Sequence, residues 1–245
     1  MAVNEQWEAF DFAPDGVRVV FVHKWKCQTA SRPYGAIVAE TAGPNCYALS
    51  TLDLRTGDVT KLDETLLWNG QPATNGSREV QLPSWSPDGT KIAFSAERPG
   101  GGWELWIVNA DGTNPSKVEL ESDVSVREPR WSPDGTRISF TSEAEFFSDS
   151  AVFVVDLASG RLERITAETD TAARRQCCAE WIDGTHLRLL DARADESQFW
   201  LVAVDGGTSE PQLIADLTGA RAGGRSAPGD PGRTFLWQPI SEAQP

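Results

Sequence analysis

Trp85-Ser86-Pro87-Asp88-Gly89-Thr90-Lys91-Ile92-Ala93-Phe94 decides how this chain folds. The pattern returns as Trp131-Ser132-Pro133-Asp134-Gly135-Thr136-Arg137-Ile138-Ser139-Phe140. A worn copy, Trp181-Ile182-Asp183-Gly184-Thr185-His186-Leu187-Arg188-Leu189, follows, and an earlier one is Phe12-Ala13-Pro14-Asp15-Gly16-Val17-Arg18-Val19-Val20-Phe21. An internal repeat at this period identifies an architecture built of copies of one supersecondary unit.

Each copy reads as four short strands. The first ends at the aromatic residue, and Pro-Asp-Gly makes a tight turn, with proline setting φ and glycine accepting positive φ. An alternating strand follows, then a variable loop, then a third strand closing on Asp or Asn. The third strands are expected at Tyr47 to Asp53, Glu104 to Asn109, Ala151 to Asp156 and Phe199 to Asp205. A glycine turn leads to a short fourth strand, at Asp58 to Leu62, Lys117 to Leu120, Leu162 to Ile165 and Gln212 to Ala215.

The spacing from the turn Asp to the residue closing the third strand supports this alignment. It is 21 residues (88 to 109), 22 (134 to 156) and 22 (183 to 205), but 38 (15 to 53) in the first copy. The excess is an insertion over Gln28 to Asn45, bracketed by Cys27 and Cys46, whose thiols could close its base as a disulfide or remain free. A second expansion runs from Trp68 to Gln81. Both read as loop.

Four-stranded units at about forty-five residues, with glycine turns and recurring aromatics, describe the blades of a β-propeller. The expected fold is all-β, with four recognisable four-stranded antiparallel blades in one domain. The blades cover approximately 7–64, 81–121, 127–167 and 177–217. Neighbouring blades must bury each other's faces, so Trp85, Trp131 and Trp181, with Phe12 in register, are expected as wedges between them. Pro231-Gly232-Arg233-Thr234-Phe235-Leu236-Trp237 repeats the turn register and reads as part of a fifth blade, a closing strand at about 232–239.

The Trp-Ser-Pro-Asp-Gly-Thr-Lys/Arg-Ile-x-Phe signature resembles the WD-repeat-like blades of TolB-type proteins. The second and third copies match closely, and the four together run from about Trp7 to Asp216. The resemblance implies a bacterial scaffold of the kind found in periplasmic TolB and in propellers attached to prolyl-oligopeptidase-type hydrolases. Such propellers usually have six or more blades, and this chain spells out four. A small closed ring, an open ring completed by a partner, and a piece of a longer protein all fit that count. Because soluble proteins avoid unpaired edges, closure by the last strand is the expectation.

Composition narrows the partners. With 40% hydrophobic residues and ten tryptophans in 245 residues, the chain can build a core. A formal charge of −14 argues against nucleic acid or an anionic membrane as the main partner. No apolar run approaches the roughly 20 residues that span a bilayer, so no membrane insertion is expected. The start lacks the basic and apolar regions of a secretory signal. A periplasmic or extracellular site is nonetheless the expectation from the resemblance and the Cys27/Cys46 pair.

Catalytic motifs are scarce. Gly-x-Ser-x-Gly is absent, Gly224-Arg225-Ser226-Ala227-Pro228 comes nearest, and neither a Walker motif nor a dinucleotide fingerprint occurs. His186 takes the slot held by Arg18, Lys91 and Arg137, read as polar and solvent-facing in every copy. No His or Cys set has zinc spacing, so no metal and no cofactor are expected. Cys177 and Cys178 read as a packed pair pointing to opposite faces of a strand. Asp15, Asp88, Asp134 and Asp183 are turn formers.

Two groups remain as binding candidates. Asp11, Ser84, Arg130 and Glu180 precede the blade aromatics and should lie near the channel axis. There Asp11, Arg130 and Glu180 could hold a small ligand or calcium, or tie adjacent blades. Tyr34, Trp68 and Trp103 lie in or beside the irregular loops of the first two blades and are candidates for an exposed aromatic patch. The expected function is a non-enzymatic scaffold for a protein or peptide partner. The alternatives are a channel-site hydrolase or lyase, and a carbohydrate-binding propeller.

Overall fold

A computed structural model describes residues 6–26, 45–62, 80–98, 101–143, 150–166, 175–193, 196–204 and 211–216. They form sixteen strands, and no helix occurs among them. The first blade is β1 (Gln6–Phe12), β2 (Arg18–Lys26), β3 (Asn45–Asp53) and β4 (Val59–Lys61). The second is β5 (Val80–Trp85), β6 (Lys91–Glu97), β7 (Trp103–Asn109) and β8 (Ser116–Lys117). The third is β9 (Arg127–Trp131), β10 (Arg137–Glu143), β11 (Ser150–Asp156) and β12 (Leu162–Arg164). The fourth is β13 (Arg175–Trp181), β14 (His186–Arg193), β15 (Glu196–Ala203) and β16 (Gln212–Asp216).

Within each blade the strands pair antiparallel in chain order, and a parallel bridge from Ser150 to Arg175 joins the third blade to the fourth. The four-bladed all-β reading therefore stands. All but the last residue of the insertion at 28–45, most of the second expansion and the closing strand at 232–239 lie outside the described residues.

The repeated turn has a repeated chemistry. Ser86 Oγ donates to Asp88 Oδ1 at 2.6 Å and accepts from Lys91 N at 2.9 Å, while Thr90 N donates to the same carboxylate at 3.0 Å. Ser132, Asp134, Thr136 and Arg137 reproduce these contacts at the same distances. Where Ala13 replaces the serine, Asp15 takes Val17 N and Arg18 N instead; where the serine-proline pair is shortened to Ile182, Asp183 takes Thr185 N and His186 N.

The apolar residues gather in three cores, each between consecutive blades. Val20, Val22 and Leu49 meet Trp85, Ile92 and Phe94 between the first and second. Ala93 and Leu105 meet Ile138 and Phe140 between the second and third, and Val152 and Val154 meet Leu187 and Val202 between the third and fourth. Trp85, Trp131 and Trp181 all belong to these cores. Phe12 does not: it is 55% exposed, because no blade among the described residues covers the far face of β1.

A feature with no glycine to announce it recurs in the inner strands. Leu82, Glu128 and Cys178, each three residues before its blade's tryptophan, have φ of 49°, 53° and 59°. Each sits at a break in register with the second strand, the signature of a β-bulge. At Cys178 this conformation replaces the regular alternation expected for Cys177 and Cys178.

Candidate functional site

The seams between blades are built by the residue that follows each turn. Arg18, on the second strand of the first blade, lies over the Trp85 ring of the next blade, 4.7 Å from its centroid, and donates from Nη2 to the Gly89 carbonyl at 3.0 Å. Arg137 repeats the arrangement at the third seam, 5.1 Å from the Trp181 ring and bonded to the Gly184 carbonyl. The slot read as solvent-facing thus carries a clamp between blades in two copies. Lys91 stays exposed, and its short-headed ammonium lacks the flat guanidinium that covers an indole. A Cβ on Gly89 would stand 3.0 Å from Arg18 Nη2, so the turn glycine also leaves room for the clamp.

The tryptophans return a contact. Trp131 Nε1 donates to the Ser84 carbonyl and Trp181 Nε1 to the Arg130 carbonyl, both at 3.2 Å. At the first seam Asp11 takes over, its Oδ2 accepting Trp85 N at 2.8 Å. Asp11 and Arg130 therefore both sit at seams, but Arg130 ties its neighbour through its backbone carbonyl. Its guanidinium donates to the Pro129 carbonyl at 3.3 Å. Glu180 pairs with Arg188, directly opposite it on β14. No hydrogen bond or ion pair among the described residues joins Asp11, Arg130 and Glu180 to one another.

Trp103 is half-buried at the second seam. The Arg127 guanidinium lies 4.5 Å from its ring centroid, Trp103 N donates to Ser125 Oγ at 3.2 Å, and its carbonyl accepts Val126 N at 3.0 Å. Arg127 also donates to Gln81 Oε1 at 2.6 Å, across the same seam. Tyr34, Trp68 and Cys27 lie outside the described residues, as does the side chain of Cys46.

Among the exposed apolar residues, Phe10 and Phe12 lie on the free face of the first blade. Strand alternation directs Asp11 toward Trp85, and Phe10 and Phe12 the other way. Their rings meet edge to face at 5.9 Å, with Phe10 64% exposed. The equivalent Trp85, by contrast, is 5% exposed. On the fourth blade Ile182, Leu213 and Ile214 are also exposed.

Electrostatics follow the turns. Hydrogen bonds from the Ser86 and Ser132 hydroxyls, then from the Thr90 and Thr136 amides, hold Asp88 and Asp134 at about 2. Amide donors hold Asp15 and Asp183 at about 2 as well. Such carboxylates are fixed as acceptors at neutral pH and have no proton to give. Among the described residues no group of three or more His, Cys, Asp or Glu could hold a metal ion. One thiol is different. The Cys177 side chain, helped by the Arg130 guanidinium, holds Cys178 below the usual thiol range against burial and the Glu128 carboxylate.

A family model of the TolB β-propeller domain matches residues 69–225. Among solved structures, the chain is similar to TolB from Acinetobacter baumannii, at 18% identity and TM-score 0.58, with 86% of this chain and 44% of that one covered. It is similar to the β-propeller domain of the Trilobed protease from Pyrococcus furiosus, which has an open velcro topology. That match has 10% identity and TM-score 0.53, over 86% of this chain and 57% of that one. An oligogalacturonate lyase solved with manganese matches at 18% identity and TM-score 0.55, over 86% and 54%. In all three cases the chain spans less than two thirds of the relative's length. At these identities the likeness is one of fold.

Proposed function

The chain belongs to the TolB β-propeller family, and from that premise we propose that it is a non-enzymatic scaffold that binds a protein or peptide partner. The observation that carries this reading is the exposed Phe10–Phe12 strip on β1. The three equivalent tryptophans lie in cores between blades, whereas here the same kind of apolar face is open to solvent. Adjacent exposed aromatics are the residues that anchor protein interfaces. A strand or loop with apolar side chains would cover them as a neighbouring blade does.

The channel-site hydrolase or lyase reading is weaker. Asp11 and Glu180 each already hold a donor, which leaves no paired acid and base. A carbohydrate platform built on Trp103 meets a similar objection, because Arg127 occupies a face of that ring.

A peptide library selected against the full chain tests the proposal, with the double variant Phe10→Glu, Phe12→Glu as counter-selection. Enriched peptides should carry apolar anchors, bind the unaltered chain and lose binding to the double variant. They should still bind Leu54→Glu, which alters an exposed apolar residue elsewhere on the first blade. Selection of no binders, or of peptides that bind the double variant equally well, would overturn it.

A further inference from the structure

We propose that Cys177 and Cys178 form a thiol–disulfide exchange site on the inner strand of the fourth blade, with a low-molecular-weight disulfide of the glutathione class as its substrate. The site is independent of the partner-binding face. Three features of the geometry meet at this pair. First, φ of 59° at Cys178, at a break in register with β14, departs from the strand alternation that would send the two side chains to opposite faces. Second, Cys178 is exposed and Cys177 is half-buried, and neither is disulfide-bonded. Third, β9 of the third blade, which carries Glu128 and Arg130, is fastened to this strand by the bond from Trp181 Nε1 to the Arg130 carbonyl.

These positions divide the labour between the two sulfurs. A thiolate is the nucleophile in exchange, and exposure decides which thiol meets the substrate. Cys178 has the exposure, with the Cys177 hydrogen bond and the Arg130 charge favouring its thiolate over the opposing Glu128. Its Sγ attacks one sulfur of RS–SR; the S–S bond breaks, and the departing RS⁻ takes up the proton that Cys178 shed. The product is a mixed disulfide on Cys178. Cys177 then gives up its proton and attacks Cys178 Sγ, and the second RS⁻ leaves with that proton. Two cysteine thiols are oxidised to one disulfide, and RS–SR is reduced to two RSH. Adjacent Cα atoms lie about 3.8 Å apart, short of the roughly 4.4–6.8 Å that disulfides usually span. The bond is therefore strained and readily reduced, which makes the site reversible.

Incubation of the full chain with glutathione disulfide, followed by peptide mass mapping, tests this. In the unaltered chain the peptide holding both cysteines should lose two hydrogens. In Cys177→Ser the reaction should stop at one glutathionyl group on Cys178. In Cys178→Ser that modification should be lost, and in Arg130→Gln oxidation should slow. Circular dichroism establishes that each variant is folded. A folded Cys177→Ser chain that stays unmodified at Cys178, or a Cys178→Ser chain in which Cys177 reacts as fast as the unaltered pair, would overturn the proposal.

Discussion

The Arg18 guanidinium of the first blade covers the Trp85 indole of the second, 4.7 Å from its centroid. Arg18→Ala removes this cation–π contact together with the bond to the Gly89 carbonyl. The contact is partly screened, since a third of the Arg18 side chain is exposed. The expected loss is about 1 kcal/mol of unfolding free energy, read by urea denaturation. Arg18→Lys should recover little of it, because an ammonium cannot both cover the ring and reach the carbonyl. Equal stability of Arg18→Ala and the unaltered chain would show that the clamp holds nothing.

The second seam lacks this clamp, because Lys91 occupies the slot. Lys91→Arg should supply one over Trp131 and raise stability by about 0.5 kcal/mol. The same substitution paired with Trp131→Leu should give no gain. That double-mutant comparison separates a new ring contact from a general effect of arginine.

Strain at the inner-strand bulges gives a ranking. Glu128 has φ of 53°, where glycine is at ease and β-branched residues are not. Glu128→Gly should be neutral or stabilising by up to about 1 kcal/mol, and Glu128→Val destabilising by more than about 1 kcal/mol. Thermal melts of the three chains should therefore order glycine, glutamate, valine from highest to lowest. The reverse order would mean that the bulge is not maintained in solution.

Acid should act through the turns. Asp15, Asp88, Asp134 and Asp183 sit at about 2 in the fold against an ordinary 3.8. A depressed folded value contributes stability that is complete above the unfolded value and is lost as pH falls through the folded one. Urea midpoints should thus be flat above about pH 5 and fall between about pH 4 and pH 2. Asp88→Asn keeps the Oδ1 acceptor but has no proton to take up, so its midpoints should fall less steeply across that window.

The legible part of this protein is its local chemistry. Pro-Asp-Gly names its own turn, and the tryptophan preceding it marks the end of the inner strand, so blades could be placed from spacing alone. Contacts across seams are different, since Arg18 meets a ring 67 positions away (18 to 85) through packing that no local period encodes. A recurring arginine one turn past the aromatic was the available signal, masked by Lys91 and His186 in the other copies. The bulges at Leu82, Glu128 and Cys178 were hidden for another reason. No glycine or asparagine stands there, and the strain is imposed by the blade rather than chosen by the residue. Asp11, Ser84, Arg130 and Glu180 read from the repeat as the positions before each blade aromatic. The partners of Asp11 and Glu180, Trp85 N and Arg188, follow from strand register and seam geometry, which lie beyond the reach of composition.

Hydrogen exchange on the full chain with a selected peptide bound tests the binding claim most directly. Exchange should slow in β1, over Gln6–Phe12, with β13 unaffected, and should not slow in the Phe10→Glu, Phe12→Glu variant. Protection confined to other blades, with β1 unchanged on binding, would contradict it.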